Sequence, residues 1–293
     1  MLLQLLANGF VNGCLYALLA VSFGLIYNTT RVLHVAHGAA FTTGAYLCYL
    51  FLNLAGLQLW LAATLAVILT AALGVGMELA VYAPLAQRGA SPLVAFLSSL
   101  GLYVVLINFI AIFFGNEQKI LRPGAEKTSH FGPVILTHIQ LAQIIVALIA
   151  LPAFALFLRH TIWGKVIRAV RDNQTLATVL GINVKLIRIG IFALGSALAG
   201  VTAVLTSLDL GMDPQVGMPA LLTAAVALIV GGVGTFEGPV VGGFLLGLLQ
   251  GLIAWKFSTR WTDALTFVVL ILVLIFRPHG IAGRRLRLEE SEA

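Results

Sequence analysis

The sequence predicts an all-α integral membrane protein, a polytopic bundle of eight or nine transmembrane segments, some of them broken or re-entrant. Three observations carry this. Of the 293 residues, 60% are hydrophobic, above the roughly 45–50% of soluble domains. Only 10% are charged, against about 25% in soluble domains. The apolar residues also gather into nine runs, most of them near the ~20 residues that cross hydrocarbon. A water-soluble fold would expose the apolar excess, and disordered chains and coiled coils do not have this composition. Soluble enzymes are therefore excluded as a class.

The runs, in order, are 5–27, 38–54, 59–82, 92–114, 139–158, 189–208, 217–232, 239–254 and 261–276. No Lys or Arg precedes Arg31, and the first run is too long for the apolar region of a signal peptide, so it is expected to stay as a helix. The last three runs are 16 residues each, with glycine-rich breaks beside them. That shortness marks some of the three as half-helices or re-entrant segments.

Alternating nine runs from an outside N-terminus puts 12 of the 17 Lys and Arg on the inner side, six of them in 159–188. The positive-inside rule then predicts a cytoplasmic C-terminus. The net charge of +6 does not point to nucleic acid, because its cations lie in gaps between apolar runs rather than on one folded face. Cys14 and Cys48 sit inside apolar runs with no metal or disulfide spacing.

Segment 159–188 is the most informative. Trp163, Val166, Ile167 and Val170 share one helical stripe, with Lys165, Arg168 and Asp172 on another. Asp172 or Asn173 suits the N-cap of a second short helix, which would carry Leu176, Ala177 and Leu180 on one side and end at Gly181. Two such helices either lie on the membrane surface, basic face toward lipid phosphates, or dock a cytoplasmic partner, with small Ala177 and Gly181 admitting close approach. Periodicity does not separate the two.

The runs also carry polar residues. Asn8, Asn12 and Tyr16 stack on one helix face beside Gly9 and Gly13, a small-xxx-small pattern for close helix contact. An Asn in hydrocarbon needs a hydrogen-bond partner or a wet cavity. His34 and His37 lack a third ligand nearby and read as interfacial histidines rather than a metal site. The stretch 231–243 holds six glycines and Pro239 but meets neither the Walker nor the dinucleotide pattern, which suggests broken helix ends and close packing. A faint echo between Ala36–Gly44 and Phe236–Gly243 places one glycine-rich break in each half. Glu78 is expected to reach the cytoplasmic interface, toward Arg88. No hydrolase triad or metalloprotease motif is present.

Five pieces in order resemble one family over nearly the whole chain, the permease subunits of branched-chain (hydrophobic) amino acid ABC importers. They are Asn8-Gly9…Gly13…Tyr16-Ala17-Leu18, Ala36-His37-Gly38…Gly44-Ala45-Tyr46, Trp163-Gly164…Arg168-Ala169-Val170…Ala177…Gly181-Ile182-Asn183, Gly231-Gly232…Gly234-Thr235…Gly238-Pro239…Gly242-Gly243, and Arg277-Pro278-His279-Gly280-Ile281…Gly283. The sequence departs from the family at Leu79 and Ala83, where relatives often carry Arg.

The resemblance implies one permease domain over 1–293, in a bacterial-type inner membrane. Its cytoplasmic segment 159–188 would meet the ATPase through Gly164, Arg168, Ala169, Asp172, Ala177, Leu180 and Gly181. It implies as partners a second homologous permease, two cytoplasmic ATPases that bind the ATP and Mg, a periplasmic substrate-binding protein and membrane lipid. This chain itself would hold no cofactor and catalyse nothing. The pathway would be weakly charged, lined by Asn8, Asn12, Tyr16, Thr42, Tyr46, Ser98, Ser99 and Thr223, and suited to a neutral or zwitterionic solute. Importers of urea and short amides look similar. A stand-alone secondary transporter and a membrane anchor compete with this reading; the scarcity of buried ionisable groups weighs against proton coupling.

Overall fold

The structure, a computed structural model, describes residues 1–122, 127–257 and 259–283. All nine apolar runs are helical. Helix α1 (Leu2–Thr30) opens the chain; α2 (Ala36–Tyr49) continues through a π turn at Leu50–Leu54, and α3 (Leu59–Met77) runs through a π turn at Glu78–Tyr82 into α4 (Ala83–Gln87). Then come α5 (Pro92–Phe114), α6 (His138–His160), the short α7 (Ile162–Asp172) and α8 (Gln174–Val179), α9 (Val184–Leu210), α10 (Gly217–Gly231), α11 (Gly238–Lys256) and α12 (Thr262–Phe276). Among the described residues, six helices are long and apolar enough to cross a membrane, and Gly217–Gly231 and Ala264–Phe276 are shorter apolar helices.

A hairpin that the apolar pattern does not reveal, β1 (Thr128–Phe131) and β2 (Val134–Thr137), lies before α6. Gln4 fastens it to α1, accepting from the Ile135 N–H and donating to the Ile135 carbonyl, each at 2.8 Å. Thr137 then starts α6 through a capping box with Gln140.

Helix α1 is the axis of the bundle. Its most apolar window is 83% buried, whereas those of α5 and α6 are 22% buried and present their apolar faces outward. Such outward faces suit a hydrocarbon solvent, in which association rests on packing rather than on hydrophobic exclusion. Close packing comes from glycine. A Cβ on Gly9 would sit 2.6 Å from the Gly247 carbonyl oxygen, and one on Gly13 would sit 3.1 Å from Phe244 Cα. The spacing Gly9-x-x-x-Gly13 thus serves the α1–α11 contact.

The structure overturns two polar expectations. Glu78 does not reach the interface or Arg88: it is fully buried and paired with Arg188 of α9, while Arg88 is exposed. The packing of α9 along α3 creates this pair, and no local sequence feature announces it. His34 and His37 are likewise interior, each 0% exposed, because the segment between α1 and α2 folds inward. His34 Nδ1 is 2.7 Å from Tyr82 Oη, Tyr82 donates to Ser99 Oγ at 2.8 Å, and Ser99 Oγ accepts the Ala36 N–H at 2.9 Å. His37 Nε2 lies 2.8 Å from Ser22 Oγ. This chain of side chains supplies partners to backbone freed by the break between α1 and α2.

Candidate functional site

The segment from α6 to α9 is built around small side chains that cap neighbouring helices. Thr161 donates to the Phe157 carbonyl at 2.7 Å and accepts the Gly164 N–H at 3.0 Å, so one hydroxyl ends α6 and begins α7. A Cβ at Gly164 would strike the last turn of α6, within 2.5 Å of the Phe157 carbonyl oxygen. Arg168 reaches back to the Leu158 carbonyl. Ile167 and Val170 are buried, as their stripe predicts, but Trp163 is 55% exposed, since it precedes the turn that packs inward.

Asn173, not Asp172, caps α8, its Oδ1 accepting the Leu176 N–H at 2.9 Å. Asp172 instead meets Arg171 at 2.7 Å. Gln174 donates to the Thr29 carbonyl at 2.7 Å, tying α8 to the end of α1. Gly181 has φ +82, the left-handed conformation that ends many helices, and Asn183 caps α9. The predicted one-sided cluster divides: Ala177 is 1% exposed, whereas Leu176 is 55% and Leu180 70% exposed, with Val179 at 78% beside them. One side of this pair of helices is anchored, and the other presents an apolar surface at the end of the bundle.

The glycine-rich stretch lies against that same end. Helix α10 ends at Gly231, with Gly232 at φ +121 and Gly234 at φ +87. Asn28, fully buried, donates to the Thr235 carbonyl at 3.0 Å and accepts the Gly234 N–H at 2.9 Å. The Arg277–Gly283 motif folds back here: Ile281 and Ala282 donate to the Val230 and Gly231 carbonyls at 2.9 and 2.8 Å. Carbonyls orphaned by the end of α10 are thereby paired.

Glu237, beside α11, pairs with Arg159 at 2.9 Å, and that hydrogen bond holds its carboxyl below the usual range, against a smaller opposing effect of burial. Arg171 lies over the Phe236 ring, 5.0 Å from its centroid. Together α6, α7, α11 and the 234–237 turn bound a groove of about 1060 Å³. Among the described residues, no group of three or more His, Cys, Asp or Glu is placed to hold a metal ion.

The pathway residues named from sequence are scattered rather than assembled. Asn8, Asn12, Ser98 and Thr223 are partly exposed. Tyr16 donates to Gln250 at 2.7 Å, and Gln250 in turn to Thr266 at 3.0 Å, inside the α1–α11–α12 contact. Thr42 and Ser99 are 0% and Tyr46 1% exposed, interior to the bundle rather than on a face that a solute meets in this conformation. Thr42 bonds its own helix at Gly38, and Ser99 serves the break at Ala36. The sequence does not announce Asn28 or Arg188: the first stands just past an apolar run and the second in a basic loop, so neither position signals a buried partner.

Compared with known proteins, residues 5–274 match the family described as "Branched-chain amino acid transport system / permease component". The high-affinity branched-chain amino acid transport system permease protein BraD of Pseudomonas aeruginosa is 32% identical, over 96% of each chain. The corresponding protein LivH of Escherichia coli (strain K12) is 30% identical, again over 96% of each. Among solved structures, PsaBC from Streptococcus pneumoniae in complex with Fab matches with a TM-score of 0.50 and 15% identity, covering 96% of this chain and 94% of that one. This last is a likeness of fold alone.

Proposed function

The chain belongs to the branched-chain amino acid transport permease family, and from that premise we propose that it is the membrane subunit of an ATP-driven importer, forming half of a path for branched-chain or other hydrophobic amino acids. The full chain acts as one permease domain in the inner membrane, C-terminus in the cytoplasm. Its partners are a second homologous permease, two ATPases that hold the ATP and Mg, and a periplasmic binding protein. Partly exposed Asn8, Asn12, Ser98 and Thr223 offer polar groups to the path, while Tyr16 and Ser99 join helices through Gln250 and the Ala36 N–H, and Thr42 and Tyr46 stand inside the bundle.

The observation that carries the coupling role is the apolar knob of Leu176, Val179 and Leu180 on the α7–α8 pair. Exposed apolar surface of this kind marks a protein or membrane contact; 159–188 holds six cations that the positive-inside rule places in the cytoplasm, and membership of the permease family favours a protein there. In operation, closure of the ATPases moves this pair, with Arg168, Ala169 and Asp172 on its coupling face, while Gly164 and Arg168 hold α7 against the last turn of α6.

Reconstitution into liposomes tests the reading. With its ATPases, second permease and binding protein, the chain should move leucine only when ATP is hydrolysed. Uptake of urea or a short amide in place of leucine would move the substrate class, and uptake by this chain alone would end the proposal.

A further inference from the structure

Helix α6 borders a groove that the solute path proposed above does not use. From Ala147 to Arg159 it forms one wall of the groove, with Val240 and Phe244 of α11 opposite and Val21 of α1 as the floor. The wall is apolar until its last residue. Those twelve steps rise about 18 Å at ~1.5 Å per residue, close to the roughly 15 Å of hydrocarbon in one leaflet. On the outer side of α6, Leu148, which lines the groove, is 55% exposed, and Leu156 nearby is 57% exposed. At about 1060 Å³, the groove sits at the top of the roughly 300–1,000 Å³ of ligand pockets, far larger than one amino acid needs.

At the α7 end three guanidiniums converge, Arg159, Arg168 and Arg171, with two carboxylates, Glu237 and Asp172. The acids orient the arginines without spending them. Each guanidinium has five N–H donors, and the contacts to Glu237, Asp172 and the Leu158 carbonyl engage one or two of each. Three guanidiniums against two carboxylates leave one positive charge in excess at that end of the groove. Basic pockets between helices on the cytoplasmic side are where anionic headgroups bind.

We infer that this groove is a site for one anionic phospholipid, its acyl chains against Leu151, Pro152 and Phe244 and its phosphodiester on Arg159 and Arg171. The choice of the cytoplasmic leaflet rests on the orientation proposed above; the binding does not. Because the headgroup end is built on α7, a bound lipid would wedge α6, α7 and α11 together.

Native mass spectrometry of the permease, purified as it assembles, tests this with dioleoyl phosphatidylglycerol, dioleoyl phosphatidylcholine, inorganic phosphate and leucine as probes. The protein should retain phosphatidylglycerol in preference to phosphatidylcholine. Arg159→Ala should cut that preference about five-fold, the equivalent of about 1 kcal/mol per basic residue at the membrane surface. Ala155→Trp, which fills the groove, should lower retention of both lipids. Equal retention of the two lipids by the unaltered protein overturns the proposal, and needs no variant to fold. Displacement by inorganic phosphate would make this a free-anion site, and displacement by leucine would make it part of the solute path; either overturns it. Loss of ATP-driven uptake plays no part in the readout, so failure here leaves the import reading standing.

Discussion

Arg188 holds Glu78 through both carboxylate oxygens, Nε to Oε1 at 2.6 Å and Nη2 to Oε2 at 3.0 Å, across 110 residues of sequence. The side chains are 11% and 1% exposed. Bidentate geometry makes this among the stronger pairings a protein can form, and it joins the π turn after α3 to the start of α9. Removing either partner strands the other charge in low dielectric. Glu78→Ala or Arg188→Ala should cost about 3–5 kcal/mol, read as a large fall in thermal stability in detergent. Replacing both by Met should restore most of that loss, since desolvation offsets much of what the pair contributes. A double variant as unstable as either single one would show that the ion pair is not what the single changes removed.

The Asn28 amide bridges two backbone groups of the glycine-rich turn, and a carboxylate of the same shape has no donor for the Thr235 carbonyl. Asn28→Asp should therefore destabilise the turn by about 1–3 kcal/mol, the cost of a buried unpaired polar group. Hydrogen exchange would report it, with faster exchange at Gly234, Ile281 and Ala282 than at amides of α5. Unchanged protection of Gly234 would remove Asn28 from this role.

Gly181 separates strain from contact. Nothing lies within 4 Å of a Cβ built there, yet φ is +82. A bulky residue would meet no clash, but would disfavour the turn by about 1–2 kcal/mol. Gly181→Val should leave the permease inserted and tilt the knob, so that uptake and stimulated ATP hydrolysis fall together. Leu180→Asp should give the same loss with stability unchanged, because the side chain is exposed. Full transport by both variants would count against coupling through this face.

Glu237 supplies a pH test. Arg159 lowers its carboxyl pKa in the folded state, so the stabilisation is present above the unfolded carboxylate value of about 4.3. It is lost as pH falls through the lower folded value. Side-chain exposures of 63% and 59% keep the effect small. The gap in midpoint temperature between the protein and Glu237→Gln should be small and flat from neutral pH to about pH 5, then close below about pH 4. A gap that widened on acidification would reverse the assignment.

Helix positions and membrane class were legible because hydrocarbon thickness imposes a length on apolar runs, and that length is written locally. The two short helices of 162–179 were legible too, through their caps and stripe. The hairpin at 128–137 was not, being short and hardly periodic, and neither was the interior site of His34 and His37, because two histidines at a helix entrance look the same whether the entrance faces water or folds inward.

Composition, run length and the order of five glycine-marked motifs determined by themselves that this chain spans a membrane and to which family it belongs. Which buried charge meets which, whether Tyr46 faces a path or the Phe114 ring, 4.9 Å away between centroids, and that Arg277–Gly283 turns back to cap α10 were decided only by tertiary structure. The reason is physical. Spanning depends on free energies of transfer that each segment meets with its own residues, whereas pairing depends on which helices stand side by side, and that relation joins residues a hundred positions apart.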